Sequence, residues 1–354
     1  MNFKMRLRYS LLVVAGLLGA CSGEKKDQEK MVDLKTVSDK PDAKISYLTE
    51  AIEKDPNNAG LYAQRSRLYL DLKQDKAALA DAEKAISLDN SKGEYYFLKA
   101  KAQRNLNRLE AALNSAQAAE SRNYRTGDLY ILMGEINLII KQYQKAIDYL
   151  NLALRLSSFN EYAYFYKGVV YAESGDTTRA ISNLQTALEQ APAFVEPYIE
   201  LAKINTAQKH YKEAATYIES GLRYDPGNAT LYINQGYNLV AQHYPDSAMA
   251  SFKRALVADS SLYLATYNLG VIEYNRDRYA QAIPHFEKVL PHAAKLPNLN
   301  LLLAHSYEKI GQTDAALRQY NIVLQKTPDD AFARNAVRRL QGRKTKPDTT
   351  ASQK

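Results

Sequence analysis

Alanine recurs every 34 residues along most of the chain, at Ala78, Ala112, Ala146, Ala180, Ala214, Ala248, Ala282 and Ala316, with no insertion between them. Twelve residues before each stands another small side chain: Ser66, Ala100, Gly134, Gly168, Ala202, Gly236, Gly270 and Ala304. Four residues earlier again come Tyr62, Tyr96, Tyr130, Tyr164, Tyr198 and Tyr232, then Thr266 and Asn300. After each recurring alanine the apolar residues follow a helical spacing, as at Ile147, Leu150 and Leu154 or at Ile181, Leu184 and Leu188. Turn formers Asn90, Ser158, Pro192, Pro226 and Pro328 close most periods, and Pro56 precedes the first. The pattern predicts eight helical hairpins counted from Ala59, each with an apolar face that it cannot bury alone, so neighbours must stack. Two antiparallel helices approach to about 8 Å only where facing side chains are small, which places the small residue of the first helix opposite the alanine of the second. In the seventh period Pro284 and Pro291 fall in the second helix. Pro291 lacks the amide hydrogen that a helix interior needs and should shorten or kink it.

The large aromatic, the small residue, the alanine that opens the second helix and the closing Asp-Pro occur together in "PYIELAKINTAQKHYKEAATYIESGLRYDPGN", and most of them again in "LYINQGYNLV" with "SAMASFKRALVADS". In these residues the chain resembles the tetratricopeptide repeat family over residues 59–330. Tyrosine stands where that family usually has tryptophan, in a chain with no tryptophan at all. The resemblance implies an all-α, right-handed superhelical solenoid of eight 34-residue hairpins with capping helices at both ends, the caps being residues 41–58 and 331–341.

The resemblance also implies a groove lined by the first helices, at positions 2, 5, 9, 12 and 13 of each repeat. Position 5 is apolar or aromatic throughout, from Ala63 to Leu301. The candidate groove residues are Ile131, Tyr162, Phe165, Ile199, Ile233, Tyr237, Tyr267 and Tyr274. Asn234 and Asn268 are candidate hydrogen-bond donors to a ligand backbone. Such a strip suits a peptide whose apolar anchors dock in pockets. The same residues also fit a core between neighbouring repeats, and both readings stand at this point. The family's carboxylate clamp, with lysine at position 5 and asparagine at position 9, occurs in no repeat, which disfavours chaperone tails as partners.

Charge changes the picture little. The formal net charge of +8 sits in Lys4, Arg6 and Arg8 and in the last seventeen residues, leaving residues 21–337 neutral, so nucleic acid is not an expected partner. No glycine-rich phosphate loop, nucleophile elbow or histidine pair at i, i+4 appears, so no enzyme activity, cofactor or metal is expected.

The single cysteine adds a location. Residues 1–20 read as a signal peptide, basic and then apolar from Leu11 to Leu18, and "LGAC" ending at Cys21 resembles the lipobox of bacterial lipoproteins. That resemblance implies lipid attachment at Cys21, and two or more acyl chains hold a protein stably on a membrane. Residues 21–40 read as a flexible tether and 342–354 as a disordered basic tail. The expectation is a lipid-anchored scaffold or adaptor on the outer membrane, facing the periplasm, with surface exposure as the open alternative. It would bind protein or peptide partners in cell-envelope assembly, such as secretion, pilus or outer-membrane biogenesis. The alternative role is a docking platform or regulator for an enzyme acting on peptidoglycan or polysaccharide. Self-association through the outer face is a further partner expectation.

Overall fold

A computed structural model describes residues 40–344. Residues 1–20, expected to be a signal peptide, Cys21, nearly all of the expected tether, and residues 345–354 lie outside the described residues. The described chain is helical, with consecutive antiparallel hairpins in two compact bodies that divide between Asn107 and Arg108. The first body holds α1 (Pro41–Lys54), α2 (Ala59–Asp71), α3 (Asp75–Leu88) and α4 (Gly93–Asn105). The second opens with α5 (Leu109–Ser121), α6 (Gly127–Ile139), α7 (Tyr143–Leu156), α8 (Glu161–Glu173), α9 (Thr177–Gln190), α10 (Val195–Ala207) and α11 (Tyr211–Tyr224). It continues through α12 (Ala229–Ala241), α13 (Pro245–Ala258), α14 (Tyr263–Asn275), α15 (Tyr279–Lys288), α16 (Leu299–Lys309), α17 (Thr313–Lys326) and α18 (Ala331–Lys344). Residues 342–344 therefore belong to the last helix, not to a disordered tail.

All eight recurring alanines are fully buried. The structure changes what the small residue before each of them faces. A Cβ added at Gly134 would lie 2.7 Å from Leu150 Cγ and 3.4 Å from the carbonyl oxygen of Ala146. At Gly236 it would lie 2.5 Å from the ring of Phe252, and at Gly270 2.7 Å from that of Phe286. The notch thus receives a large side chain from the second helix, four residues beyond the alanine, while the alanine lets the backbones close. In four repeats glycine meets Leu150, Leu184, Phe252 or Phe286 and in the first repeat Ser66 occurs with Ala82, whereas Ala202 occurs with Ile218 and Ala304 with Tyr320, so the matching holds in part of the array. These residues are all fully buried, and each Leu or Phe contributes about 1.5–3 kcal/mol through its removal from water.

A tyrosine has an apolar ring and a polar tip, and in several repeats the tip is used. The hydroxyls of Tyr62, Tyr198 and Tyr232 donate to the carbonyls of Pro56, Pro192 and Pro226, at 3.2, 3.0 and 3.0 Å, tying each first helix to the turn before it. Five first or second helices carry a side-chain cap: Asn58, Thr126, Asn160, Asp176 and Asn228 accept from amides of the first turn. Between the two helices of every hairpin one residue is left-handed: Lys73, Asn107, Lys141, Gly175, Lys209, His243, Asp277 and Gly311, with φ from 57° to 90°. The next amide reaches back to the carbonyl five residues before it, as from Gln142 to Asn137 and from Asp176 to Tyr171, which stops the helix and turns the chain.

The seventh repeat departs where its prolines fall. α15 passes through Pro284 but ends at Lys288, and Leu290–Lys295, which includes Pro291, is a 3₁₀ turn. Val289 and Leu296 remain buried on either side, so the core is kept while the helix is lost.

Candidate peptide groove

The first helices of successive hairpins touch in the second body, α6 with α8, α8 with α10 and α10 with α12. Their shared face carries the candidate residues. Tyr162 on α8 is half exposed, and its ring centroid lies 4.9 Å from that of Phe194. Phe165, one turn further on, is half-buried with its centroid 5.2 Å from both Phe194 and Tyr166. Ile131 and Ile199 are half-buried on α6 and α10. On α12, Tyr237 is 36% exposed and meets Phe252 edge-on at 5.6 Å. With Ile139, Val240 and Leu264, all more than a third exposed, these side chains form an apolar face rich in aromatic rings. Few charges interrupt it, and Lys203 is paired with Glu200 at 2.9 Å.

Three of the candidates are committed elsewhere. Ile233 is buried, packed with Phe252, Ala265 and Leu269, so it belongs to the core and not to the groove. Asn234 is also buried, and its Nδ2 donates to the carbonyl of Ile199 at 3.1 Å, stapling α12 to α10 where a ligand backbone had been expected. Asn268 donates to the carbonyl of Leu264 at 2.7 Å and to the hydroxyl of Tyr237 at 3.2 Å. Leaving the buried Asn234 amide unpaired would cost more than such a bond returns, so its partner within the protein decides its role, while Asn268 is only half-buried. Tyr267 is half-buried and donates to the carbonyl of Pro297 at 2.6 Å. The half-buried Tyr274 shares a 2.7 Å hydrogen bond with Nδ1 of His305. Burial pushes the hydroxyls of Tyr237, Tyr267 and Tyr274 above their ordinary pKa, which favours the neutral form of these three.

Phe194 was not legible as a groove residue. It lies in the loop between α9 and α10, outside the helical positions that carry the family's groove, yet its ring packs on Tyr162 and Phe165 of α8. The aromatic residue after Pro192 and Ala193 was the available signal. No group of three potential metal ligands and no helix long and apolar enough to cross a membrane occurs among the described residues.

Family models described as tetratricopeptide repeat match residues 59–92, 97–161, 171–235, 233–297 and 273–340. The chain belongs to the tetratricopeptide repeat family. It is a scaffold for protein interactions, built on a fold that is typically non-catalytic. It is similar to the BBSome complex member BBS4 of Bos taurus, 24% identical over 222 residues that make up 53% of this chain and 43% of that protein. It is also similar to the type IV pilus assembly protein PilF of Pseudomonas aeruginosa, 28% identical over 168 residues, 46% of this chain and 66% of PilF. The chain thus spans less than half of BBS4 and just under two thirds of PilF. The solved structure of PilF aligns with a TM-score of 0.54 at 16% identity, covering 61% of this chain and 97% of PilF. A human IFIT1 dimer with m7Gppp-AAAA aligns at 0.63 and 16% identity, over 85% of this chain and 77% of that one. At such identity the two structures speak for the fold alone.

Proposed function

We propose that this tetratricopeptide repeat protein is a lipid-anchored adaptor of the cell envelope that holds a partner peptide against its first helices. The observation that carries the reading is the half-exposed aromatic face of α8, α10 and α12. Tyr162, Phe165, Phe194 and Tyr237 present large rigid rings with little entropy to lose on binding, which suits apolar anchors of a peptide. Pilus assembly is the envelope system we favour, because PilF bears that role in its name and is 28% identical over 168 residues. The anchor rests on the sequence alone: the basic residues, the apolar run and "LGAC" up to Cys21 support acylation there and an outer-membrane location facing the periplasm.

Photo-crosslinking amino acids placed at Tyr162 and Tyr237 in cells test the groove, with the buried Ile233 as the control position. Recovery of the same envelope protein from both groove positions and not from Ile233 is the expected result. Crosslinks spread equally over an outward position such as Val257 would remove the groove from the reading. Mass spectrometry of the Cys21 peptide, with and without Cys21→Ser, checks the anchor.

A further inference from the structure

The turn joining the two helices of a hairpin faces the first turn of the preceding hairpin's second helix, and at several junctions a side chain straps the two together. Asn105 at the end of α4 donates to Asp75 of α3 at 2.6 Å. Gln208 after α10 donates to Thr177 of α9 at 3.1 Å. Asn238 of α12 donates to the carbonyl of Tyr211 of α11 at 3.1 Å, and Arg276 after α14 to Asp246 of α13 at 2.8 Å.

The junction between the α8–α9 turn and α7 carries no such strap, as at the turns of Ile140 and Ile310, but here the residue is polar. Ser174 stands at the repeat position that Gln208 and Arg276 hold in theirs, and it is too short to cross. Its hydroxyl donates back to the carbonyl of Tyr171 at 3.1 Å, and the facing Gln144 donates along its own helix to Asp148. A cleft of about 580 Å³ lies at this junction, within the range of small-molecule sites, and a smaller one of about 470 Å³ lies at the strapped junction of Asn105 and Asp75. Its chemistry differs from that of the groove. Tyr143 supplies aromatic surface, while Gln144, Asp176, Thr178 and Arg179 supply donors and acceptors. The Arg179 guanidinium lies 4.7 Å over the Tyr171 ring, and its Nε donates to Asp176 Oδ2 at 2.6 Å. The backbone amide of Arg179 donates to the other carboxylate oxygen of Asp176 at 2.9 Å. The pair is therefore fixed, and its charges cancel.

We infer that this cleft is a binding site for a neutral saccharide. A carboxylate beside a guanidinium offers an acceptor and several donors to neighbouring hydroxyls, and arginine has five donors, of which Asp176 and Tyr171 engage two. Tyrosine surface accepts the C–H face of a pyranose ring, and an amide and a hydroxyl close the remaining edges. A phosphate or carboxylate ligand would meet the Asp176 carboxylate, and a peptide anchored by apolar side chains would find little greasy surface there. The site lies apart from the groove and does not depend on what the groove holds.

The test is calorimetric titration and saturation-transfer NMR of the purified protein with two soluble probes, a tetramer of N-acetylglucosamine and maltotetraose, up to about 10 mM. Saturable binding of either supports the site, and preference between them separates an amino-sugar polymer from a plain glucan as the source. Arg179→Gln and Tyr143→Ala should each weaken binding at least about tenfold, equivalent to roughly 1.4 kcal/mol. Ser174→Gln, which restores the strap on an exposed turn, should do the same while circular dichroism and melting stay unchanged. Tyr162→Ala, in the groove, should leave saccharide affinity as it is. No binding of either probe, or binding that survives both Ser174→Gln and Arg179→Gln, would overturn the assignment.

Discussion

At the scale of single residues, four repeats match a glycine to a large side chain sixteen residues further on. Gly134 admits Leu150 and Gly236 admits Phe252, whereas Ser66 and Ala100 belong to repeats where alanine takes the large residue's place. Adding one methyl group at Gly134 places it 2.7 Å from Leu150 Cγ, which forces the leucine off its rotamer or the helices apart. Gly134→Ala should therefore destabilise the protein by about 1–3 kcal/mol, less whatever alanine adds as a helix former, and Gly134→Ala with Leu150→Ala should recover part of the overpacking at the expense of a cavity. Denaturant titration of the two variants checks both signs. The recurrence of small residues was legible because the period repeats it eight times. What each one faces was not, because a period of 34 gives spacing and not direction. The same limit explains Asn234. Its spacing on α12 marked a groove position, but the acceptor that claims it, the carbonyl of Ile199, lies 35 residues away and is brought close only by stacking.

At the scale of elements, the hairpins are ended by backbone chemistry that composition hardly signals. Six of the eight left-handed turn residues are not glycine, so the usual cue for a helix stop is present only at Gly175 and Gly311. Proline was the more readable signal, since Pro291 has no amide to give and the helix stops before it. Around that break the protein has a built-in acid sensitivity. Burial holds His285 of α15 and His305 of α16 below the ordinary imidazole value of 6.5. His285 faces Glu273, which opposes the shift, and Lys253 and Lys288, which add to it. His305 is set against Tyr274, Tyr279 and Phe332, with Lys309 and Arg339 favouring the neutral form and Glu308 and Asp277 the charged one. With the folded values depressed, the unfolded chain takes up more protons below pH 6.5, so this contribution to stability is present above that pH and lost as pH falls beneath it. The denaturant midpoint should drop between pH 7 and pH 5, and His285→Gln with His305→Gln should flatten that dependence. An equal slope in the double variant would place the acid sensitivity elsewhere.

At the scale of the whole molecule, each repeat is stabilised by its neighbours, so damage should stay local. The last helix illustrates this. Ala333, Ala336 and Leu340 of α18 are buried with Tyr320, and Arg339 reaches Glu308 Oε1 at 2.7 Å. Ending the chain after Asp330 would expose Tyr320 and leave Glu308 without that partner. Hydrogen exchange should then quicken by roughly tenfold or more in α16 and α17 while α6 to α9 keep their protection. Uniform loss across the second body would mean that the repeats unfold as one unit. The sequence by itself determined that this protein is made of 34-residue helical hairpins, where the small residues fall and where proline breaks the pattern, because helical period and backbone sterics act within a few residues. Only the tertiary structure decided which flank of each first helix stays open, that Ile233 and Asn234 are core, that Phe194 joins the aromatic face, and that the α8–α9 turn borders a polar cleft. Those outcomes depend on side chains a full repeat apart, which stacking alone brings within reach of one another.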